Sequence, residues 1–387
     1  MPPLPPSGGG GGGAGRAGRP RIGSKRAARG LGGGPSRSLR APSSSTPHMS
    51  RVEVHKFGGT SLGDAERIAR AAGLVARVAR QASVVVVASA MGGVTDGLVE
   101  TCELALGGRR EEALERVAEL KARHLTALDE TAGGRDVSAI RAELDRLFDE
   151  LAELMQSVAW LRELSPRTRS TILSMGEKLS VPILAEALRA QGANATPMNA
   201  DEFLDTDSEH ADASPLHGVT ERTVRSALGA RLEAGEVPVV TGFCGRDSSG
   251  ATTLLGRGGS DFTATLIGGA LRADEVFIWT DVDGVYTADP RVVAEARLID
   301  QLNFREAAEL SYYGAKVLHQ RTIIPVASHS IPVHIKNSFF PERPGTVVDG
   351  RFTPGSHPVK AISAVHGQAL ISVEGKGMAG VPGVSAR

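Results

Sequence analysis

From residue 52 onward the chain alternates short, β-branched apolar runs with longer stretches of helical periodicity. Val84-Val85-Val86-Val87, Val237-Pro238-Val239-Val240 and Val276-Phe277-Ile278-Trp279 are near-continuous apolar strands, preceded by the alternating Val52-Glu53-Val54-His55. Strands of this kind, separated by helices, predict a mainly parallel sheet covered on both faces. Such a sheet gathers ligands at the carboxyl ends of its strands, and the glycine-rich and acidic segments follow these strands. Between about 103 and 165 the strands disappear and two amphipathic helices take over. The second carries Leu144, Leu147, Leu151, Leu154, Val158 and Leu161 at spacings of three and four. Fewer than three heptads is short for a coiled-coil dimer seam, so an intramolecular helical hairpin is favoured over it. A Pro/Gly-rich link from about Pro341 to Pro358 precedes a new start at Val359-Lys360-Ala361-Ile362 and a strand over Ala369–Val373, and this last unit ends almost as soon as it begins.

Composition changes the picture at one end. The first 49 residues hold eight Lys or Arg and no Asp or Glu, and are dominated by Gly, Pro, Ser and Ala. A stretch like that buries too little apolar surface to offset its ordering entropy, so a disordered leader is expected. The remaining body has 36 basic against 44 acidic residues, about −8, although the whole chain sums to zero. The leader reads equally well as an organellar transit peptide or as sequence upstream of a start at Met49, with a nucleic-acid-binding arm a weaker third reading because no aromatics interleave the basic residues. Cys102 and Cys244 belong to no metal or C-x-x-C spacing and suggest a reducing, cytosol-like compartment. The longest apolar run, Val84 to Ala88, is far short of the roughly 20 residues of a membrane span.

Candidate chemistry begins behind the first strand, at Lys56-Phe57-Gly58-Gly59-Thr60-Ser61. A strand that stops at a lysine and turns through two glycines bares backbone N–H groups beside an ammonium, with Thr60 and Ser61 placed to cap the next helix. That is a phosphate cradle, without the spacing of a P-loop. Ser89-Ala90-Met91-Gly92-Gly93-Val94-Thr95-Asp96 follows the second strand and is a turn able to hold a small polar substrate. Ser174-Met175-Gly176-Glu177-Lys178-Leu179-Ser180 opens a helix in this reading, with Glu177 in its first turn either as a favourable N-terminal acid or as a grip for a substrate ammonium.

Leu255-Gly256-Arg257-Gly258-Gly259-Ser260-Asp261 is the strongest local signal. Its glycines let backbone approach a ligand, Arg257 offers a fork for a carboxylate or phosphate, Ser260 caps the next helix, and Asp261 lies where a Mg²⁺-phosphate complex or a neighbouring lysine would sit. Trp279-Thr280-Asp281-Val282-Asp283-Gly284-Val285-Tyr286 resembles a calcium loop only superficially, because Tyr286 and Val292 occupy the positions where an EF-hand needs Gly and an acid. A nucleotide-edge loop fits better, with Tyr286 against a base and Arg291 on a phosphate. Ser311-Tyr312-Tyr313-Gly314-Ala315-Lys316-Val317-Leu318-His319 sets a second lysine on a helix, with His319 read as packed or at the surface. Gly375-Lys376-Gly377-Met378-Ala379-Gly380 matches a dinucleotide fingerprint, but the sequence leaves no room for the rest of that unit.

Taken in order, these segments resemble the aspartate kinases of the amino acid kinase family, over about Val52 to Val348, and the tail from Val359 looks like the opening of the ACT-like regulatory region of bifunctional aspartate kinase/homoserine dehydrogenases. The resemblance implies an α/β fold, a three-layer α/β/α sandwich with a mainly parallel central sheet, followed by the truncated start of an ACT-like domain. It sets a catalytic domain over 50–348 with a helical insertion at about 103–165, a linker over 349–360, and an incomplete regulatory segment over 361–387. The implied reaction is phosphorylation of L-aspartate by ATP, with Mg²⁺ carried by the nucleotide and no separate metal site. Lys56 and Asp261 would be catalytic. Ser89, Ala90, Thr95, Glu177, Arg257 and Ser260 would bind aspartate, and Lys56, Gly58, Gly59, Ser61, Thr280, Asp281, Tyr286, Arg291 and Lys316 would bind ATP. A proline often follows the family's GAKVLH, and Gln320 stands there in this chain. The implied partners are L-aspartate and ATP, not nucleic acid or membrane, with a homo-oligomer if the full regulatory domain is present and an amino-acid feedback effector. A cytoplasmic location is expected, or a plastid one if residues 1–49 are a transit peptide. The rivals are a same-fold kinase for another small acid and a non-catalytic regulatory subunit.

Overall fold

The computed structural model describes residues 51–312, 318–352, 359–365 and 367. The leader, Lys316, the strand expected at Ala369–Val373 and the Gly375–Gly380 fingerprint lie outside them. Strand β1 (Val52–Phe57) runs through a 3-10 turn (Gly59–Leu62) into α1 (Ala65–Val78), and β2 (Ser83–Ala88) leads to four helices, α2 (Val94–Leu106), α3 (Arg110–Thr131), α4 (Ser138–Leu161) and α5 (Pro166–Ala190). Then come β3 (Ala195–Met198), α6 (Val219–Glu233), β4 (Val237–Thr241), the hairpin β5 (Cys244–Arg246) and β6 (Thr252–Leu254), and α7 (Gly259–Leu271). The chain continues through β7 (Glu275–Thr280), β8 (Gln301–Asn303), α8 (Phe304–Tyr312), α9 (Gln320–Ala327), β9 (Val333–Asn337) and β10 (Thr346–Asp349).

Eight strands form one sheet in the order β3-β4-β2-β1-β7-β9-β10-β8. All contacts from β3 to β9 are parallel, and β10 then runs antiparallel to β9. The four valines of β2 are fully buried, each stabilising by roughly 1.5–3 kcal/mol. That double-sided burial is why the strands read as unbroken apolar runs. In the centre, β1 sits between β2 and β7, with Lys56 level with Val87 and Ile278. The carboxyl ends of β1, β2, β4 and β7 therefore lie side by side, and each is followed by one of the glycine-bearing or acidic turns.

The α4 seam is intramolecular: Leu144, Leu147, Leu151, Met155 and Val158 are buried in the same core as residues of α2, α3 and α5. Local readings differ from the structure in four places. Helix α5 starts at Pro166, with Ser165 as its cap accepting from the Thr168 N–H, so Glu177 lies in mid-helix and not in a first turn. Gly176 is there for close approach, since a methyl on it would meet the Ala90 side chain at 2.8 Å. Asp64, not Thr60 or Ser61, caps α1 by accepting from the Arg67 N–H, because the two hydroxyl residues are spent in the 3-10 turn. Gly258 is the cap position of α7 and Ser260 lies inside the helix, where its side chain packs on Gly242. Finally, the Pro/Gly-rich link contains β10, a four-residue strand too short to register between Gly345 and Gly350.

Candidate active site

Lys56 is the penultimate residue of β1 and is nearly buried, with its ammonium aimed at the start of α7. There Nζ meets Asp261 Oδ1 at 2.6 Å, an ion pair with both side chains largely enclosed. Gly258, at φ +72°, turns the chain into α7, and no side chain caps the helix. An uncapped first turn leaves N–H groups and the positive end of the helix dipole for an anionic ligand, and Asp261 sits in that same turn. Gly58 lies beside the lysine, since a methyl on it would come 3.2 Å from Nζ. The turns after β1 and β2 touch backbone to backbone: a methyl on Gly59 would lie 3.1 Å from the Ala90 carbonyl, and one on Gly92 would lie 2.9 Å from the Gly59 carbonyl. Gly92 has no room for a side chain because its partner is backbone that cannot swing away, and Gly59 is tight against the Ala90 carbonyl.

Glu177 reaches the same place from α5. Its Oε1 accepts from the Ala90 N–H at 3.1 Å, while Oε2 is buried without a hydrogen-bond partner. Burial pushes its carboxyl up to about 8, against the opposing pull of the Ala90 N–H and of the Lys56 charge. An acid held neutral with one oxygen unspent is prepared to accept from a cationic donor. Ser180 Oγ, one turn on, donates to the Ser89 carbonyl at 2.8 Å and locks the turn after β2 to α5. Ser89, on that turn, and Thr95, in the first turn of α2, are half-buried. Arg257 is exposed on the loop before α7 and has no ion-pair partner among the described residues, so its guanidinium remains available.

The loop after β7 is held more tightly than its sequence suggests. Thr280 Oγ1 donates to Asp281 Oδ1, and Asp281 is exposed. The Tyr286 hydroxyl donates to Asp283, which also accepts from Asn337 and Arg343. Burial works to raise the Asp283 carboxyl, but these donors outweigh it and hold it below its ordinary range. Arg291 is chelated by Asp289 and solvent-exposed, so it reaches a phosphate only by exchanging that partner. The side chain of His319 caps α9, and Gln320 takes that helix's first position, one that suits proline equally well.

Residues that the motifs did not flag complete the site. Phe243, after β4, adopts φ +70° and lays its ring against Gly259, while its N–H donates to Thr263 Oγ1. Lys178 pairs with Asp201 at 2.6 Å, and Thr252 donates to the same acid, tying α5 to the β5–β6 hairpin. The only advance signal was the Gly-x-x-Gly spacing around Phe243 behind a strand. Among the described residues no cluster of three or more His, Cys, Asp or Glu is placed to hold a metal, and no helix is long and apolar enough to cross a membrane. A cavity of about 420 Å³ lies elsewhere, between α8 and residues 360–363, with its acid Glu306 engaged by Lys360 and Glu309 by Arg305.

The sheet order and the lysine beside an uncapped helix start accompany a match of residues 51–337 to the amino acid kinase family. The chain belongs to that family. It is 36% identical over 330 residues to lysine-sensitive aspartokinase 3 of Escherichia coli, covering 85% of this chain and 71% of that protein. It is 33% identical over 337 residues to the bifunctional aspartokinase/homoserine dehydrogenase of Haemophilus influenzae, covering 87% of this chain and 41% of the relative. The chain thus spans less than half of that bifunctional relative. The crystal structure of Escherichia coli aspartokinase III in complex with aspartate and ADP superposes with a TM-score of 0.72 at 36% identity, over 78% of this chain and 65% of that one.

Proposed function

We propose that this chain is an aspartate kinase, transferring the γ-phosphoryl group of MgATP to the β-carboxylate of L-aspartate to give 4-phospho-L-aspartate and ADP, a reaction that serves lysine, threonine and methionine synthesis. The observation that carries this reading is the Lys56–Asp261 pair at the uncapped start of α7, within the electrostatic reach of a buried, half-satisfied Glu177. The aspartokinase relatives and the aspartate–ADP complex of one of them support it.

In this assignment Lys56 contacts the transferring phosphoryl group and Asp261 orients the ammonium. Gly58, Gly59 and the first turn of α7 present N–H groups to phosphate oxygens. Glu177 takes the substrate ammonium, Arg257 the α-carboxylate, and Ser89, Ala90, Thr95 and Ser260 line the pocket. Ser61, Thr280, Asp281, Tyr286 and Arg291 hold the nucleotide, joined by Lys316 from outside the described residues. Mg²⁺ enters as part of the nucleotide substrate. The attacking carboxylate is already ionised at neutral pH, because an ordinary carboxylate titrates near 4, so no general base is needed. One carboxylate oxygen bonds to the γ-phosphorus as the bond to the ADP oxygen breaks, and ADP leaves. The protein's task is to neutralise repelling anions and spread charge on a loose transition state.

A purified-protein assay of ADP release over a panel of acids tests the assignment. Aspartate is expected to support turnover at least about 100-fold better than glutamate or carbamate: carbamate lacks the groups that Glu177 and Arg257 read, and glutamate misplaces its carboxylate by a methylene. Equal or better turnover with glutamate or carbamate would reassign the substrate. A homo-oligomer where the full regulatory domain is present, an amino-acid feedback effector and a reducing compartment belong to the same proposal, the last supported by two free, buried cysteines.

A further inference from the structure

At the end of β9, Asn337 and Ser338 are buried and Phe339 is half-buried, beside the carboxyl ends of β1 and β7. The Ser338 N–H donates to the Thr280 carbonyl at 2.9 Å, its Oγ donates to the same carbonyl at 3.1 Å, and that Oγ lies 2.8 Å from Ser61 Oγ. A hydroxyl has one proton. With the Ser338 proton directed to Thr280, both contacts are satisfied only if Ser61 donates to Ser338, a relay running Ser61 to Ser338 to the Thr280 carbonyl. On either side of the relay the segment is anchored independently. Asn337 donates to Asp283 Oδ1 at 2.8 Å, and the guanidinium groups of Arg67 and Arg70 on α1 stack over Phe339 at 5.2 and 5.6 Å.

We propose that Ser338 is a positioning residue for the nucleotide, fixing the Gly58–Leu62 phosphate turn to the edge loop that starts at Thr280. This rests on the reading that those two loops hold MgATP. The Ser61 proton is already committed and its N–H is spent on the Gly58 carbonyl at 2.9 Å, so Ser61 presents lone pairs to the bound nucleotide. It therefore has no proton left to donate to a phosphate oxygen. The two loops follow neighbouring strands, and besides the relay and the β1–β7 pairing the hydrogen bond that joins them among the described residues is the long Gly58 N–H to Trp279 carbonyl contact of 3.4 Å.

The test is a double-mutant cycle of Ser61→Ala, Ser338→Ala and the pair, read as KM for ATP, KM for aspartate and kcat. Each single variant is expected to raise the ATP KM about 3- to 10-fold, the weight of about one neutral hydrogen bond, with aspartate KM within about twofold of wild type. The double variant should add little to either single, because all three break one relay. An unchanged ATP KM in Ser338→Ala, an equal rise for both substrates, or strictly additive effects would overturn the role. Calorimetry with MgADP separates this from the function itself. Wild type that binds MgADP without phosphorylating aspartate refutes the kinase assignment, whereas Ser338→Ala that binds MgADP as tightly as wild type refutes the positioning role. Should Ser338→Ala fail to fold, Ser61→Ala decides alone, and wild-type MgADP affinity in that variant counts against the relay.

Discussion

Replacing Lys56 with methionine is expected to lower kcat by about 1,000-fold or more, the loss seen when a group that neutralises transition-state charge in phosphoryl or acyl transfer is removed. Methionine keeps an apolar stem in a position that is 9% exposed and removes only the charge. The ammonium is ion-paired to Asp261 at the uncapped start of α7, where a transferring phosphoryl group would meet it. The fold should survive, because Asp261 remains in the first turn of α7 where the helix dipole favours a carboxylate. A loss of about 2 kcal/mol, or roughly 4–8 °C in melting temperature, is expected from leaving that acid unpaired. Steady-state kinetics beside a thermal melt reads both quantities. Turnover within tenfold of wild type would remove Lys56 from the chemistry.

Glu177→Gln should act through substrate affinity instead. Removing one partner of a buried charge pair costs about 2–5 kcal/mol, so KM for aspartate should rise roughly 30- to 5,000-fold. The same residue makes wild-type binding pH-dependent. Its carboxyl is pushed up to about 8 in the empty site, chiefly by burial, so at neutral pH it holds a proton that an incoming ammonium must displace. Affinity for aspartate should therefore improve by up to about tenfold per pH unit below about 8 and level off above it, a limb that Glu177→Gln lacks.

Stability follows with the opposite sign. Below the ordinary carboxyl value near 4.5 both folded and unfolded states hold the proton, and Glu177 carries no penalty. As pH rises from there towards about 8, the unfolded chain sheds the proton while the folded one keeps it, and stability falls. Glu177→Gln should match wild type in acid and be more stable at about pH 9, by on the order of a few kcal/mol. A variant that is less stable than wild type at every pH would show that the carboxyl is ionised and paired.

The parallel sheet was legible because β2 and β4 are buried on both faces, and such strands cannot hide polar positions. Lys56 and Asp261 were legible as separate motifs, with a lysine or a metal complex expected beside Asp261, and the fold shows the two paired across more than two hundred residues. What sequence obscured has two physical sources. Glycine signals either a turn or a close approach, and Gly176 serves close approach to Ala90 inside α5, which starts at Pro166 and not at Ser174–Ser180. Short elements carry little periodicity, so β10 and the relay through Ser338 were lost among prolines and glycines that in fact punctuate a strand. The internal ties of the edge loop, Asp283 to Asn337 and Arg343 and Arg291 to Asp289, depend on partners that no local spacing reveals.

The central claim is that an acyl phosphate forms on the side-chain carboxylate of aspartate at this cluster. Incubating the purified chain with MgATP, L-aspartate and hydroxylamine traps such a product as a hydroxamate. The account predicts hydroxamate on the aspartate β-carbon carboxyl, formed in one-to-one ratio with ADP and lost in Lys56→Met. ADP released without hydroxamate, or at a rate indifferent to aspartate, would contradict it.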